Sequence, residues 1–431
     1  MQYEVSRPEG IVDSSISNKV LSSRKNGALG LSYQVGISIF SKMIAFVSLY
    51  LYANILPSDQ ISKLAILQAL IVGVVAVLSI QLPTTLFRHS IEISYINSCL
   101  WLSSKSNIVL YISIIIIPVA LYSNYSLMGV ALVLGLVQIA AFLKLEIIRA
   151  VDEGSKYYGL ILLQILASVS LTFITLRYFY KSNGILVYAA YEFISWMLVF
   201  IMSGVIIKKW RRENEERRAV FIKEQIFLYL KYGVFLIPTA VAWWLITQAP
   251  LLISGYLLNS GDVAMYAISN RIPNMIAIFA FIILPVGGKN LALIYQVDPS
   301  GFKKKFFRYS IYWSMAFLLI SIVVLIMNWF FLTKWYPDYR LGFVIQLLQV
   351  ANSFFIAVLS FLTYAYISTK KIKCSSLTSI ITGVIGAFIS YILGLKFGLI
   401  GVIGGMSIGI IIGLALTVLH IRSISLESDS F

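Results

Sequence analysis

Acidic residues are scarce in this sequence: 18 Asp and Glu stand against 34 Lys and Arg, and the four types together fill only 12% of 431 positions. With 59% hydrophobic residues and a mean hydropathy of +0.87, that shortage excludes a water-soluble globular domain, because no core of this size hides so much apolar surface. Cysteine is nearly missing as well. Cys99 and Cys374 are too few for a disulfide framework or a thiolate metal site. The two histidines, His89 and His420, fall near expected span ends, and a Gly-rich phosphate loop is lacking, so no metal, haem or nucleotide cofactor is expected. Residues 1–27 are polar, without a cleavable signal-peptide pattern, and read as a cytoplasmic tail. Strand-length alternation is also lacking, which excludes a membrane barrel.

Long apolar runs are what the sequence has instead. Each is about the ~20 residues that a helix needs to cross the hydrocarbon. Twelve spans are expected, at approximately 30–55, 61–84, 107–123, 127–149, 157–179, 184–207, 228–256, 263–286, 309–332, 341–368, 374–396 and 399–421. The fold class is therefore an all-α integral membrane protein. Connectors on the side of the termini hold about 24 of the 34 Lys and Arg, the opposite side about 6. That asymmetry is the positive-inside signal and puts both termini in the cytoplasm. The net charge of +16 is thereby read as topology and attraction to anionic membrane lipids, not as nucleic-acid binding.

An internal repeat organises the spans. Shifted by about 202 positions, "ILPSDQISKLAILQA" (55–69) lies over "LLNSGDVAMYAISNR" (257–271), and Leu82-Pro83 falls on Leu284-Pro285. Six spans separate the copies, so both have the same orientation: two six-helix lobes related by a parallel pseudo-two-fold axis. The expected division is 1–27 tail, 28–207 N-lobe, 208–227 basic linker, 228–422 C-lobe and 423–431 tail. Four prolines, Pro238, Pro250, Pro273 and Pro285, crowd the seventh and eighth spans, as bending points or as static kinks. The last span carries Gly401, Gly405, Gly409 and Gly413, a small-residue stripe for close helix contact.

Charges at mid-depth are the candidate site. Entering from outside near Val263, a rise of ~1.5 Å per residue puts Arg271 about 12 Å into ~30 Å of hydrocarbon, and Lys42, rising from inside, reaches ~16 Å. A cation at the centre of a span costs at least ~2.5–3.5 kcal/mol on insertion scales, so a protein-lined, watered cavity is expected. Gln34 and Ser38 share a face with Lys42 at intervals of four; Asn270 and Asn274 flank Arg271; Gln68 is the repeat partner of Asn270. These seven are the expected substrate-binding residues. Glu192, ~12 Å into the sixth span, is either an ion-coupling carboxylate or the structural counter-ion of Arg271 or Lys42. Lys144 and Glu146, near a span end, read as snorkelling or paired with Arg149.

Several stretches carry a resemblance. "LYANILPSDQISKLAILQ", "YGVFLIP", "ISGYLLNSGDVAMYAISNRI" and "FGLIGVIGGM" resemble the polysaccharide-biosynthesis flippases (Wzx type) of the multidrug/oligosaccharidyl-lipid/polysaccharide exporter superfamily, over about residues 28–420. The resemblance implies a MATE-like fold in the bacterial inner membrane. It implies translocation of undecaprenyl-diphosphate-linked oligosaccharide, for O-antigen or capsule, from the inner to the outer leaflet. It also implies central cations in the first and eighth helices, where Lys42 and Arg271 lie. If the empty carrier needs H+ or Na+ to reorient, Glu192 is the expected site, and a glycan polymerase is a candidate partner. Many such relatives carry Asp-Arg before the apolar run of the seventh helix; this chain has Ala249-Pro250, so that pair's role is not carried over. Two other classes stay open: a MATE-type small-molecule antiporter, which would want cavity carboxylates, and a membrane glycan polymerase or ligase, which would want a large outward loop.

Overall fold

A computed structural model describes residues 47–80, 105–112, 127–150, 154–178, 184–213, 223–277, 299–369 and 372–423, with a few isolated positions between them. Among the described residues the secondary structure is helix joined by short turns and loops, with no strand. After the helical stretch 47–53, the main elements among the described residues are α1 (Ser58–Leu78), α2 (Leu127–Ala150), α3 (Gly154–Tyr178), α4 (Gly184–Glu213), α5 (Lys223–Leu257), α6 (Ser260–Ser269), α7 (Pro299–Trp335), α8 (Phe343–Ser368) and α9 (Ile372–Ser423). Eight of these are long and apolar enough to cross a membrane. Such helices are the expected solution in lipid, where every backbone N–H and C=O must be satisfied within its own segment.

α9 is two helices. Its 52 residues would extend ~78 Å if straight, more than twice the hydrocarbon thickness. Gly398 reverses the chain with φ 59° and ψ −138°, a conformation that glycine adopts without a Cβ penalty. Gly401 then meets Leu393, Gly405 meets Ser390, Gly409 meets Gly386 and Gly413 meets Thr382, the pairing of an antiparallel hairpin. The glycine stripe is thus the contact surface anticipated from its spacing. In lipid, helix association depends on such close van der Waals approach, since tails are as apolar as side chains.

The repeat register is visible in local geometry. α1 begins at Ser58 after an extended N-cap, Pro57 (φ −67°, ψ 157°). α6 begins 202 positions later at Ser260, after Asn259 (φ −72°, ψ 160°). Asn259 also caps α6, its Oδ1 accepting from the Asp262 amide at 2.9 Å. Leu82, Pro83, Leu284 and Pro285 lie outside the described residues.

The basic stretches "KKWRRE" (208–213), in the expected linker, and "FKKKFFR" (302–308), between two expected spans, are helical, since α4 runs on to Glu213 and α7 starts at Pro299. Lys, Arg and Glu are good helix formers, and a helix remains bonded after it leaves the hydrocarbon. One expectation needs correction: Lys144 and Glu146 do not snorkel, and the side chain of Arg149, the other expected partner, lies outside the described residues. They are buried because α3 and α4 pack over this end of α2. Lys144 Nζ lies 3.2 Å from the Phe200 ring centroid, and Glu146 accepts from the Tyr157 hydroxyl at 3.3 Å. A desolvated ammonium over an aromatic face gains from the ring quadrupole.

Pro238 and Pro250 sit inside α5 without ending it. Pro273 does more. It has no N–H to bond the Ser269 carbonyl and its ring presses on that turn, and α6 stops at Ser269 before helix resumes at residue 271.

Candidate functional site: a polar cavity around a guanidinium

The helix break sets the site. Asn270 bridges the two segments with φ −80° and ψ −6°, and Arg271 begins the resumed helix, both on the wall of a cavity of about 310 Å³. α1 supplies Gln68, α3 supplies Gln164 and Ser168, α4 supplies Tyr188 and Glu192, and α5 supplies Thr247 and Gln248 to the same wall. Of the residues singled out from sequence, Arg271, Asn270, Asn274, Gln68 and Glu192 meet here. Lys42, Gln34 and Ser38 lie outside the described residues.

Arg271 has an uncharged partner. Its Nη2 donates to Gln68 Oε1 at 2.6 Å, and Gln68 Nε2 reaches the Tyr188 hydroxyl at 3.4 Å. The ion pair with Glu192 allowed by depth does not form. Glu192 Oε1 accepts from Trp196 Nε1 at 2.9 Å and Gln164 Nε2 at 3.1 Å, and Oε2 accepts from the Ser168 hydroxyl. Among the described residues the carboxylate is therefore satisfied by α3 and α4; Lys42, its other expected counter-ion, lies outside them. Its cluster continues to Tyr52 and Thr172, both fully buried.

Asn270 and Asn274 serve different neighbours. Asn270 Nδ2 donates to the Tyr266 hydroxyl at 3.3 Å, whereas Asn274 Oδ1 accepts from Ser353 Oγ of α8 at 3.4 Å. Sequence reasoning missed Gln164, Ser168, Tyr188, Thr247 and Gln248. The spacing of Gln164, Ser168 and Thr172, four apart on one helix face, was the available signal, as was Tyr188 one turn before Glu192.

A second set of contacts joins the 47–53 helix to the residues that follow α7 and to α6. Asn54 Nδ2 donates to the Tyr336 hydroxyl at 3.0 Å, which itself donates to the Tyr50 carbonyl at 3.1 Å. The Tyr50 hydroxyl donates to the Ile268 carbonyl at 3.1 Å, and its ring meets Phe331 edge-on at 4.8 Å. Nearer the middle, Trp244 Nε1 of α5 donates to the Ala69 carbonyl of α1 at 2.8 Å. Gly73 leaves room for that indole, since a Cβ there would sit 2.6 Å from Trp244 Cε2.

Long apolar helices around a polar cavity form a fold that solved structures share. The chain is similar to a multidrug resistance MATE family transporter of the MOP superfamily in an inward-facing conformation, with TM-score 0.65, 12% identity, and coverage of 92% of this chain and 96% of that one. It is similar to the Vibrio cholerae MATE transporter VcmN in its bent form, with TM-score 0.61, 13% identity, and coverage of 93% and 98%. It is similar also to the lipid II flippase MurJ in an inward closed conformation, with TM-score 0.59, 14% identity, and coverage of 92% and 88%. No family model matches the sequence, and no curated protein matches it. At such low identity the likeness establishes the fold, which is MATE-like.

Proposed function

We propose that the chain is a flippase of the Wzx type, moving undecaprenyl-diphosphate-linked oligosaccharide from the inner to the outer leaflet of a bacterial inner membrane. The observation that carries this reading is Arg271: a guanidinium on a cavity wall, bonded to a neutral amide, with no carboxylate in ion-pair distance among the described residues. A guanidinium offers several N–H donors in a fixed fork suited to phosphate oxygens, and in a low-dielectric cleft such charge-assisted bonds are strong. Asn270, Asn274, Gln248 and Ser168 on the same wall suit sugar hydroxyls. The diphosphate is the part of the cargo that hydrocarbon rejects; the polyprenyl tail remains in lipid.

In this reading residues 28–207 and 228–422 act as the two lobes, and both termini are cytoplasmic. On that topology the hydrogen bonds of Tyr50, Asn54 and Tyr336 join the two lobes near the outward side. A membrane potential negative inside contributes ~2.3 kcal/mol per charge per 100 mV, so outward movement of about two negative charges is favoured by roughly 4–5 kcal/mol.

The test is flipping of a polyprenyl-diphosphate oligosaccharide in proteoliposomes. Arg271→Ala is expected to slow it at least about tenfold, since a hydrogen bond to a charged group is worth ~1.5–3 kcal/mol; Arg271→Lys keeps part of the rate. A wild-type rate from Arg271→Ala would remove the basis of the proposal. Glu192 on the cavity wall supports a second reading, a MATE-type antiporter. Expulsion of a cationic dye in exchange for H+ or Na+, without lipid flipping, would favour it.

A further inference from the structure

The contact that occupies Arg271 is replaceable. Its acceptor is the Gln68 amide oxygen, 2.6 Å away, which has no net charge. A phosphate oxygen entering from the cavity offers the guanidinium a full negative charge at the same distance and displaces the amide. Gln68 is weakly held otherwise, since its Nε2 lies 3.4 Å from the Tyr188 hydroxyl, beyond the usual N–H···O range. The other ties between the first and second halves described above have uncharged donors: Trp244 Nε1 to the Ala69 carbonyl, the Tyr50 hydroxyl to the Ile268 carbonyl, and Asn54 and the Tyr336 hydroxyl in the contacts between 50–54 and 336; an anion gains most at the charged donor, Arg271.

The bond also spans the chain. Gln68 lies in α1, and Arg271 sits just after the break that follows α6, 203 positions later. Breaking it frees a polar tie across the cavity at the helix discontinuity caused by Pro273, where the backbone has already lost one hydrogen bond.

We infer that Gln68 is a latch released by the cargo's anionic group: its amide oxygen stands on Arg271 where a phosphate oxygen binds, holds α1 to the 271 segment when the cavity is empty, and lets go on loading. The inference rests on Arg271 being the anion site proposed above. Gln68 is thus a positioning residue and competitor, distinct from a ligand of the cargo.

The experiment measures binding of inorganic pyrophosphate by calorimetry to the full-length protein in lipid nanodiscs. Wild type binds, and Arg271→Ala weakens binding at least about tenfold. Gln68→Ala and the near-isosteric Gln68→Met bind about tenfold more tightly than wild type, because the intramolecular competitor is gone. Gln68→Glu, which ion-pairs with Arg271, binds at least about tenfold more weakly. Opposite signs for the apolar and acidic variants separate a latch from packing, which would weaken every variant. If Gln68→Ala and Gln68→Met bind no more tightly than wild type while Arg271→Ala still loses binding, the latch is refuted and the anion site stands. If wild type fails to bind, or Arg271→Ala binds as wild type does, the anion site falls and the latch with it.

Discussion

Replacing Glu192 tests whether the first-half cluster is a self-contained polar unit. Three donors converge on this carboxylate: Trp196 Nε1, Gln164 Nε2 and the Ser168 hydroxyl. All three donor residues are buried, at 4%, 4% and 3% exposure. Glu192→Ala removes the acceptor of all three at once. A buried donor left unsatisfied costs ~1–3 kcal/mol, and water from the adjoining cavity recovers part of it, so a net loss of ~2–4 kcal/mol is expected. Glu192→Gln behaves differently. Its carbonyl oxygen still accepts from Trp196 and Gln164, while its amide NH2 faces Ser168, whose hydroxyl rotates to accept. The expected loss is below ~1 kcal/mol. Unfolding titrations in mixed micelles would measure both variants. Equal stability of the two, in either direction, would refute this account of the cluster. With the amide variant folded, its flipping rate across a range of pH and Na+ becomes readable, and an unchanged ion dependence would leave Glu192 a structural role only.

Two further outcomes follow from contacts elsewhere. Gly409 faces Gly386 in the α9 hairpin, while a Cβ added at Gly404 would meet nothing within 4 Å. Gly409→Leu should therefore cost several kcal/mol, since backbone cannot give way as side chains do, whereas Gly404→Leu is tolerated; an equal loss of thermal stability in both would contradict the hairpin packing. Tyr336→Phe removes one donated and one accepted hydrogen bond between the 47–54 segment and the residue after α7, worth ~0.5–1.5 kcal/mol each. Pulsed EPR between labels at Asp59 and Lys334 should then show a larger population at long distance, and an unchanged distribution would deny Tyr336 any part in holding the two segments together.

Much of the fold was legible because lipid leaves few choices. Span positions came from hydropathy, the α1 and α6 starts from a 202-residue register matched at Ser58 and Ser260, and the hairpin from glycines four apart. Hydropathy failed where helix continues past the hydrocarbon, as in "FKKKFFR" at the start of α7, because charge ends an apolar window without ending a helix. The site was legible in part. Depth along a span brought Arg271 and Glu192 to one level, and both reach one cavity. Depth carries no information on azimuth, however, so it allowed an ion pair that the structure replaces with two separate partnerships. Gln164 and Ser168 escaped notice because neutral polar residues cost little in a span and raise no alarm in the sequence.

The separation of those partnerships bears on which group can respond to cargo. Glu192 draws all three of its donors from α3 and α4, so filling the cavity need not disturb it, and its neighbours gain nothing from an incoming anion. Arg271 draws its acceptor from α1, an element packed against α5 and α6 across the cavity. Had Glu192 reached Arg271, an incoming phosphate would compete with a full charge already in place, and truncating one partner would leave the other buried and unpaired at a cost of several kcal/mol. A neutral acceptor removes that barrier while still satisfying the guanidinium in the empty state. In the proposed reading the same arrangement disfavours cationic cargo, which would face a guanidinium with no carboxylate in ion-pair distance among the described residues before reaching a carboxylate whose oxygens are already occupied.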